Sequence, residues 1–312
     1  MTSNNNLMIK DYVIQLIENL PPNIKDAKKC ETIDLVLDGG AFNGSYLTGA
    51  VYFLQEMERR KYIKINRISG CSIGSVVAFL YYIDRIDLMT TFAKMTAEDF
   101  RQTHKLQIIK DIKNKLKPHI PDDVCLRVNH KLFITYHNII NGKKKVKSTY
   151  LDVDDILDTI LKSCYLPFLI DGNMLYKNKY VDGINPYIFK TTGPNKILYL
   201  DLFGYDKIGH LFNVKNEKTD CHRILAGLLD IHSFFIKQSP TNMCSYVNDW
   251  NIINKGIIYF KGILEKMLIY LIYIMYFIQN KTPKEFKNTI YYKLSSKITQ
   301  DICVVLLDEF CL

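Results

Sequence analysis

A serine at position 72 has the sequence surroundings of a nucleophile. The chain reads RISGCSIGSVVAFLYY over residues 67–82, so Ser72 lies between Gly70 and Gly74, ahead of an apolar helical run. Glycines at these two positions permit a sharp, strained turn from strand to helix, which exposes the serine hydroxyl at the positive end of the helix. Glycine and serine also meet in ordinary tight turns. The pattern alone leaves both interpretations open.

A glycine-rich segment ahead of this serine could stabilise negative charge. DGGAFNGSYLTGA, residues 38–50, carries Gly39, Gly40 and Gly44 between a predicted strand and a predicted helix. Small residues there let backbone N–H groups point at a phosphate or a tetrahedral oxyanion. A dinucleotide fingerprint is disfavoured because Ala41 stands where a glycine is required, and a P-loop is excluded because no Gly-Lys-Ser/Thr is present. An oxyanion loop is the more coherent interpretation.

A carboxylate further along the chain could activate the serine. The segment YVDGINP places Asp182 and Gly183 at the end of a predicted strand. A serine hydroxyl is a weak nucleophile until a base accepts its proton, and a carboxylate at a strand edge is well placed to do so. Taken alone, however, Asp-Gly is a common turn.

The elements around these motifs indicate an α/β fold. IDLVLDGG and YIKINRIS are typical of buried strands, and each precedes a run with helical spacing, SYLTGAVYFLQEMERR and SVVAFLYYI. This order predicts parallel strands with crossover helices. β-rich segments on both sides of Asn141-Gly142 predict a hairpin. DVDDILDTILKSCYLPF predicts a helix that stops before Pro167, and KILYLDLFG predicts another strand; after about residue 205 helical patterns take over.

The composition allows a sizeable core, but it does not identify the kind of molecule that the protein binds. Of the 312 residues 48% are hydrophobic, and the formal net charge is +9. That excess fits contact with anionic lipid headgroups or nucleic acid, but lysines scattered over solvated faces give the same number. The eight cysteines form no CxxC pair and no His/Cys cluster with the spacing of a zinc site, so we expect reduced, mostly buried thiols and no metal.

The N-terminal segment predicts a docked amphipathic helix. In MTSNNNLMIKDYVIQLIENLPP, helical spacing relates Met8, Tyr12, Leu16 and Leu20, and Pro21-Pro22 ends the pattern. The segment lacks a basic region followed by an apolar core, so no signal peptide is predicted. We therefore expect a cytoplasmic or otherwise intracellular protein, with peripheral membrane association.

An apolar segment near the C-terminus bears on that association. MLIYLIYIMYFI, residues 267–278, has twelve uninterrupted apolar residues, whereas a span needs ~20. A transmembrane segment over 257–278 is not favoured, because Lys261, Glu265 and Lys266 interrupt it. The segment is predicted to be either a helix that closes the core or one that lies in a lipid interface together with the lysines of 143–147. The interfacial interpretation is slightly favoured.

Together the three motifs resemble those of the patatin-like phospholipase family. GGAFNG resembles the family's oxyanion loop, GCSIG its nucleophile elbow and Asp182-Gly183 its Asp-Gly motif, and the similarity covers roughly residues 33–203. The resemblance implies a three-layer α/β/α sandwich with a mostly parallel sheet. On this basis residues 31–205 are the patatin-like domain, residues 1–30 an N-terminal helical extension, and residues 206–312 a mainly helical C-terminal region.

The resemblance also implies the chemistry, a Ser–Asp dyad without histidine. Ser72 is then the nucleophile and Asp182 the general base, and the oxyanion is held by backbone N–H groups of Gly39, Gly40 and Ala41. The motif glycines are Gly44, Gly70, Gly74 and Gly183. The implied substrate is an acyl ester of a phospholipid or neutral lipid, cleaved through an acyl-serine. No metal or other cofactor is implied, and no nucleic-acid partner is expected.

Two alternatives stay open. One is an α/β-hydrolase with a Ser-Asp-His triad, whose histidine would be His210, His222 or His232, since these follow Asp182 in the chain. The other is a lipid-binding protein that keeps the same fold without turnover. Replacement of each histidine distinguishes the first, and a fluorophosphonate probe that labels Ser72 distinguishes the second.

Overall fold

The computed structural model of the protein describes residues 2–26, 30–191, 193–204, 207–214 and 219–283, and after them positions 285, 289, 290, 294, 297 and 305. The helices are α1 (Thr2–Glu18), α2 (Gly44–Arg59), α3 (Ile73–Tyr82), α4 (Leu88–Thr103), α5 (Ile112–Leu116), α6 (Val124–Val128), α7 (Val153–Ser163), α8 (Cys221–Lys237) and α9 (Ile252–Lys281). The strands are β1 (Glu31–Leu37), β2 (Ile63–Cys71), β3 (Leu132–Asn138), β4 (Lys143–Lys147), β5 (Tyr180–Val181), β6 (Lys196–Leu200) and β7 (Cys244–Tyr246).

These strands form one sheet in the order β4-β3-β2-β1-β6-β7, with the short β5 paired to β3. β3, β2, β1 and β6 run parallel to one another, while β4, β5 and β7 pair antiparallel. The predicted α/β fold, the parallel pairing of the first two strands and the hairpin at Asn141-Gly142 are confirmed. Ser72 directly follows β2 and therefore lies at the carboxyl edge of the parallel strands, where open α/β sheets place their sites.

Helices cover both faces of the sheet. On one face α2, α3, α7 and α8 pack against Ile33, Leu35 and Leu37 of β1 in the main core. On the other face a smaller cluster joins Val36 to residues 187–189 and to Ile258 of α9. Because side chains of a strand alternate between its two faces, β1 is buried on both sides. This is the sandwich that the family resemblance implies.

The N-terminal helix docks through a different face from the predicted one. Met8 is 60% exposed, and Tyr12 and Leu16 only border the core, so the inward face predicted for α1 is wrong by one residue. The buried positions are Ile9, Val13, Ile17 and Leu20. The helix packs on α2 and α8, so it belongs to the main core rather than standing apart from it.

The chain beyond residue 205 contributes to the same core. α8 packs against α2, and the unpredicted strand β7 extends the sheet next to β6. The division of the chain into residues 1–30, 31–205 and 206–312 stays a prediction, and most of residues 284–312 lie outside the described residues.

α9, with 30 residues, is the longest helix of the described chain. It begins where the Asn251 side chain accepts the Asn254 N–H at 2.9 Å, a helix N-cap. Its inward side buries Glu265 and Ile269, whereas most of Met267–Ile278 is exposed. Its inward side packs on a small apolar cluster that includes Val181, through Ile269, Ile272 and Tyr276. Among the described helices, none combines the length and the apolar character needed to cross a membrane.

Candidate active site

Ser72 stands at a strained turn between β2 and α3. Its backbone has φ 49° and ψ −131°, a conformation that costs a residue with a side chain roughly 1–3 kcal/mol. The surrounding structure holds it there, since the Ser72 N–H donates to Ser163 Oγ at 2.9 Å and the Ser72 carbonyl accepts from Ser75 Oγ at 2.7 Å. The serine is the residue before the first turn of α3, whose N-terminus favours a developing negative charge. This geometry is that of a nucleophile elbow.

The four motif glycines allow this turn and its neighbours to pack closely. A Cβ atom added to Gly70 would lie 2.6 Å from the Gly74 carbonyl oxygen, and one added to Gly74 would lie 2.5 Å from the Asp38 carbonyl oxygen. At Gly183 the nearest atom would be the Thr135 carbonyl oxygen, at 2.2 Å, and at Gly44 it would be in the Ile73 side chain, also at 2.2 Å. Three of these neighbours are backbone atoms of packed strands and turns, which cannot move aside. A larger residue at Gly70 or Gly74 would therefore push the start of α3 away from β2 or from the end of β1, and one at Gly183 would push the Asp-Gly turn away from β3.

Asp182 lies beside Ser72 in a buried position. The carboxylate is 5% exposed, and its Oδ1 accepts the Ile184 N–H at 2.7 Å. Burial raises the pKa of Asp182 to about 6, although the Ser72 hydroxyl and the Ile184 N–H favour its ionised form; the charge of Glu265 raises it further. Within the described chain Oδ2 has no partner in normal hydrogen-bond geometry, so the approach of Ser72 is loose, as often occurs before substrate binds.

Ser163, at the end of α7, joins the two halves of the site and was not singled out from the sequence. Its hydroxyl accepts the Ser72 N–H and donates to the Thr135 carbonyl at 2.7 Å, while its own carbonyl accepts the Gly183 N–H at 3.4 Å. One residue thus ties the elbow to the turn after Asp182. The only available signal was its place in SCYLPF, the segment that leads to the Asp-Gly motif.

The backbone N–H groups of the glycine-rich loop differ in their hydrogen-bond partners. Gly39 donates its N–H to Asp38 Oδ1 at 2.9 Å, so this group is already engaged. The N–H groups of Gly40 and Ala41 have no acceptor within the described residues. Ala41 has φ 43°, a left-handed value that glycine adopts at less cost, so the methyl group of Ala41 strains the backbone here.

Asp38 was not singled out from the sequence, yet it is the centre of a buried polar cluster beside this loop. Its Oδ2 accepts from the Tyr199 hydroxyl at 2.8 Å and lies 3.2 Å from Lys261 Nζ, which is also 2.8 Å from Asp201 Oδ1. Burial raises the pKa of Asp38 to about 6 against the opposing charge of Lys261. The pairing partners come from β6 and α9, far away in the chain.

An apolar cavity opens beside Ser72. Its volume is about 760 Å³ including the open mouth, and its walls come from the start of α2, from α3 and α4, and from residues 106–112. Val76, Met89 and Phe92 are among the lining side chains, with Ala41 and Ser72 at one end. A cavity with apolar walls and one reactive hydroxyl suits a hydrocarbon chain attached to an ester.

The candidate histidines do not shift the pKa of Asp182. His232 packs edge-on against Phe53 with ring centroids 5.9 Å apart, and burial lowers its pKa. The groups that shift the pKa of Asp182 are the Ser72 hydroxyl, the Ile184 N–H and Glu265, and no described histidine is among them.

The neighbouring Cys71 is a buried thiol whose pKa is raised well above its usual value by burial and by Asp38 and Asp182. Among the described residues no cluster of His, Cys, Asp or Glu could hold a metal ion.

Comparison with known proteins agrees with the family resemblance. The family model described as Patatin-like phospholipase matches residues 35–184, which include all three motifs. The 1-acylglycerol-3-phosphate O-acyltransferase Pnpla3 of Mus musculus is 26% identical over 155 residues, 46% of this chain and 37% of the mouse protein. The Lysophospholipase NTE1 of Cryptococcus neoformans is 25% identical over 206 residues, 60% of this chain and 12% of the fungal protein. The chain thus matches only a minor part of the length of either relative.

Proposed function

Because residues 35–184 match the family model of the patatin-like phospholipases, we propose that the chain is a lipid acyl hydrolase that works through a dyad of Ser72 and Asp182. The observation that carries this proposal is the buried carboxylate of Asp182 beside the hydroxyl of a strained serine. The apolar cavity that ends at this serine supports an acyl ester of a phospholipid or neutral lipid as the substrate.

The proposed reaction has two halves. Ser72 Oγ attacks the ester carbonyl carbon while its proton passes to Asp182, and the tetrahedral oxyanion is held by the N–H groups of Gly40 and Ala41. The C–O bond to the alcohol then breaks, and Asp182 returns the proton to the leaving oxygen. Water attacks the acyl-serine in the same way, which releases the fatty acid and restores the Ser72 hydroxyl. With a pKa of about 6, Asp182 is ionised at neutral pH and can act as the base.

Replacement of Ser72 tests the proposal. Ser72→Ala removes the nucleophile, so we expect hydrolysis of lipid esters to fall by roughly 10³-fold or more. Urea unfolding should stay unchanged, because alanine keeps the Cβ atom of serine in the same backbone conformation. A fluorophosphonate probe should label the wild-type protein and not the variant. Ser239→Ala, at an exposed serine, is the matched control and should leave labelling and turnover unchanged.

Four outcomes would contradict the proposal. Substantial hydrolysis by Ser72→Ala would exclude Ser72 as the nucleophile. Loss of turnover on replacement of His210, His222 or His232 with retention in Asp182→Asn would favour a triad. A protein that binds lipid but never reacts with the probe would be a lipid-binding protein. Because the mouse relative is named as an acyltransferase, the assay should include a lysophospholipid acceptor; acyl transfer to it without fatty-acid release would replace hydrolysis as the reaction.

The outer surface of α9 supports contact with a lipid surface as part of this function. Its distal half presents large apolar side chains that are 41% to 65% exposed: Met267, Leu268, Tyr270, Leu271, Tyr273, Met275, Phe277 and Ile278. Ile269 packs beside Val181, next to Asp182, so the helix continues past the site at the carboxyl edge of the sheet. Lys143 and Lys145 of the adjacent hairpin are exposed, whereas Lys144 and Lys147 are paired with carboxylates. An apolar helix face with nearby lysines suits an anionic lipid interface.

Vesicle flotation tests this contact. We expect wild-type protein to float with phosphatidylserine vesicles and to bind less as salt rises, because exposed lysines act through screened charge. Glutamine at Leu268, Leu271 and Phe277 should abolish flotation without unfolding the protein. Glutamine at Ile252, Ile253 and Ile257, which are exposed at the other end of α9, is the matched control. Equal flotation of both triple variants, or no recruitment of the wild type, would refute the contact.

A further inference from the structure

α9 contacts both loops of the proposed catalytic site through two inward-facing ionisable side chains. Lys261 and Glu265 lie one helical turn apart, and their side chains are 14% and 8% exposed. Long charged side chains are rarely buried unless they are paired. Each has one partner in a segment of the proposed site: Lys261 pairs with Asp38, just before the oxyanion loop, and Glu265 with Asn185, just after the general base.

The first contact ends at the oxyanion loop. Lys261 Nζ pairs with Asp38 Oδ2, and the other oxygen of the same carboxylate accepts the Gly39 N–H. The Tyr199 hydroxyl donates to Oδ2 as well. Asp38 therefore connects the cation of α9 to the residue before Gly40, whose N–H is proposed to face the oxyanion.

The second contact ends at the turn that follows Asp182. The Glu265 carboxylate accepts from His137 Nε2 at 2.7 Å and from Asn185 Nδ2 at 3.0 Å, and lies 2.9 Å from Lys144 Nζ. The Asn185 N–H in turn donates to the Gly183 carbonyl at 2.7 Å. The carboxylate thus contacts the Asp-Gly turn through Asn185, while Ser163 accepts the Gly183 N–H.

We propose that Lys261 is a positioning residue for the oxyanion loop, acting through Asp38, and that Glu265 is its counterpart for the Asp182 turn. Neither side chain touches the reacting atoms. This inference rests on the proposed function, since it gives α9 a part in the reaction that the dyad performs. The competing explanation is that both residues only anchor the helix to the sheet.

The charges around each carboxylate distinguish these explanations. Asp38 is faced by Lys261 of α9, by Tyr199 of β6, by Asp201 just after β6 and by Cys71 of β2. Only an ionised Asp38 gives the Gly39 N–H a charge-assisted bond, which is roughly twice as strong as a neutral one. Loss of Lys261 or of the Tyr199 hydroxyl removes an influence that lowers the pKa of Asp38, so the loop would lose this support at a higher pH.

Whereas Lys261 lowers the pKa of Asp38, Glu265 raises the pKa of the other buried carboxylate, Asp182. Asp182 is faced by Ser72, Cys71, Cys164 and Glu265, and the charge of Glu265 raises its pKa. Removal of that charge lowers the pKa of Asp182. A positioning role therefore predicts that the acid limb of kcat/KM moves up in Lys261→Met, whereas loss of a simple anchor leaves it in place. In Glu265→Gln the lost charge alone moves the acid limb down, and a positioning role predicts in addition a lower kcat above that limb.

The experiment measures kcat, KM and the pH profile of the full chain with a soluble p-nitrophenyl ester. Lys261→Met should lower kcat about tenfold with KM within about twofold, as for an interaction made mainly in the transition state, and Lys261→Arg should restore most of the activity. Lys255→Met, at an exposed lysine of the same helix, is the matched control. Tyr199→Phe deletes one hydroxyl in an otherwise unchanged core and should lower kcat and raise the acid limb in the same way.

The results separate this inference from the proposed function. If Ser72→Ala abolishes turnover while folded Lys261→Met and Tyr199→Phe both keep wild-type kcat and pH profiles, the positioning role fails and the dyad stands. If Ser72→Ala stays active, the dyad itself fails. If Lys261→Met does not fold, Tyr199→Phe decides: a lower kcat with a raised acid limb supports the role, and an unchanged profile overturns it.

Discussion

Asp182→Asn should make the protein more stable at neutral pH while it removes activity. The folded structure raises the pKa of Asp182 from 3.8 to about 6, and this difference corresponds to about 3 kcal/mol. Below pH 3.8 the carboxyl is protonated in both the folded and the unfolded chain. Above pH 6 it is ionised in both, and the folded chain alone carries a buried charge. The contribution of Asp182 to the free energy of unfolding is therefore fully present below pH 3.8, and it is lost as the pH rises from 3.8 through 6.

The asparagine variant does not ionise, so it avoids this loss. Its amide oxygen can still accept the Ile184 N–H, as Asp182 Oδ1 does at 2.7 Å. We expect its free energy of unfolding to exceed that of the wild type by up to about 3 kcal/mol at pH 7, and by only about 1 kcal/mol at pH 4.5. Turnover should fall to a degree similar to that of Ser72→Ala, and the double variant should be little worse than either, because the two residues act as a unit.

Urea unfolding measured at both pH values checks this prediction. Trp250 is the sole tryptophan and packs against Tyr199 with ring centroids 5.4 Å apart, so its fluorescence reports the loss of tertiary structure. Asp122→Asn, at an exposed carboxylate, is the control and should show no such pH-dependent gain. A variant no more stable than wild type at pH 7, or a gain of equal size at both pH values, would refute the reasoning from buried charge.

Three further predictions concern the same site. The kcat/KM of the wild type should fall about tenfold between pH 7 and pH 5, because the base, with a pKa of about 6, becomes protonated; a flat profile over this range would contradict it. Ser163→Ala removes the hydroxyl that accepts the Ser72 N–H, so we expect a loss of about 1–3 kcal/mol in the free energy of unfolding and a lower kcat; Ser239→Ala is the control, and unchanged values would mean that Ser163 is dispensable. Ala41→Gly relieves a left-handed φ and should raise the free energy of unfolding by up to about 1 kcal/mol, measured in urea; a loss would show that the methyl group packs usefully.

The sheet and its crossover helices could be predicted because their signals are local. β1, β2 and β6 are short apolar segments, and the hairpin turns at Asn141-Gly142, where Gly142 has φ 61°. The inward face of α1 could not be predicted in the same way. Two adjacent rows of that helix are apolar, one through Met8 and one through Ile9, so periodicity does not choose between them. Packing against α2 and α8 chooses Ile9.

The three motifs mark the residues that touch the proposed reaction, but not those that hold them. Asp38 reads in sequence as the end of a strand, and nothing near it in the chain indicates a buried ion pair. Its partners Tyr199 and Lys261 follow it by 161 and 223 residues. Such a cluster exists only after β1 and β6 pair and α9 crosses the sheet, so no local pattern reports it.

The charged residues of α9 also have partners that the sequence does not reveal. In sequence Lys261 and Glu265 interrupt an apolar run and argue against a membrane span. In the structure they are the charged residues that face inward, because each finds partners at the carboxyl edge of the sheet. An ordinary amphipathic helix turns its charges to water and its apolar side chains to the core. Since this helix docks through its charges, much of its apolar surface is left exposed.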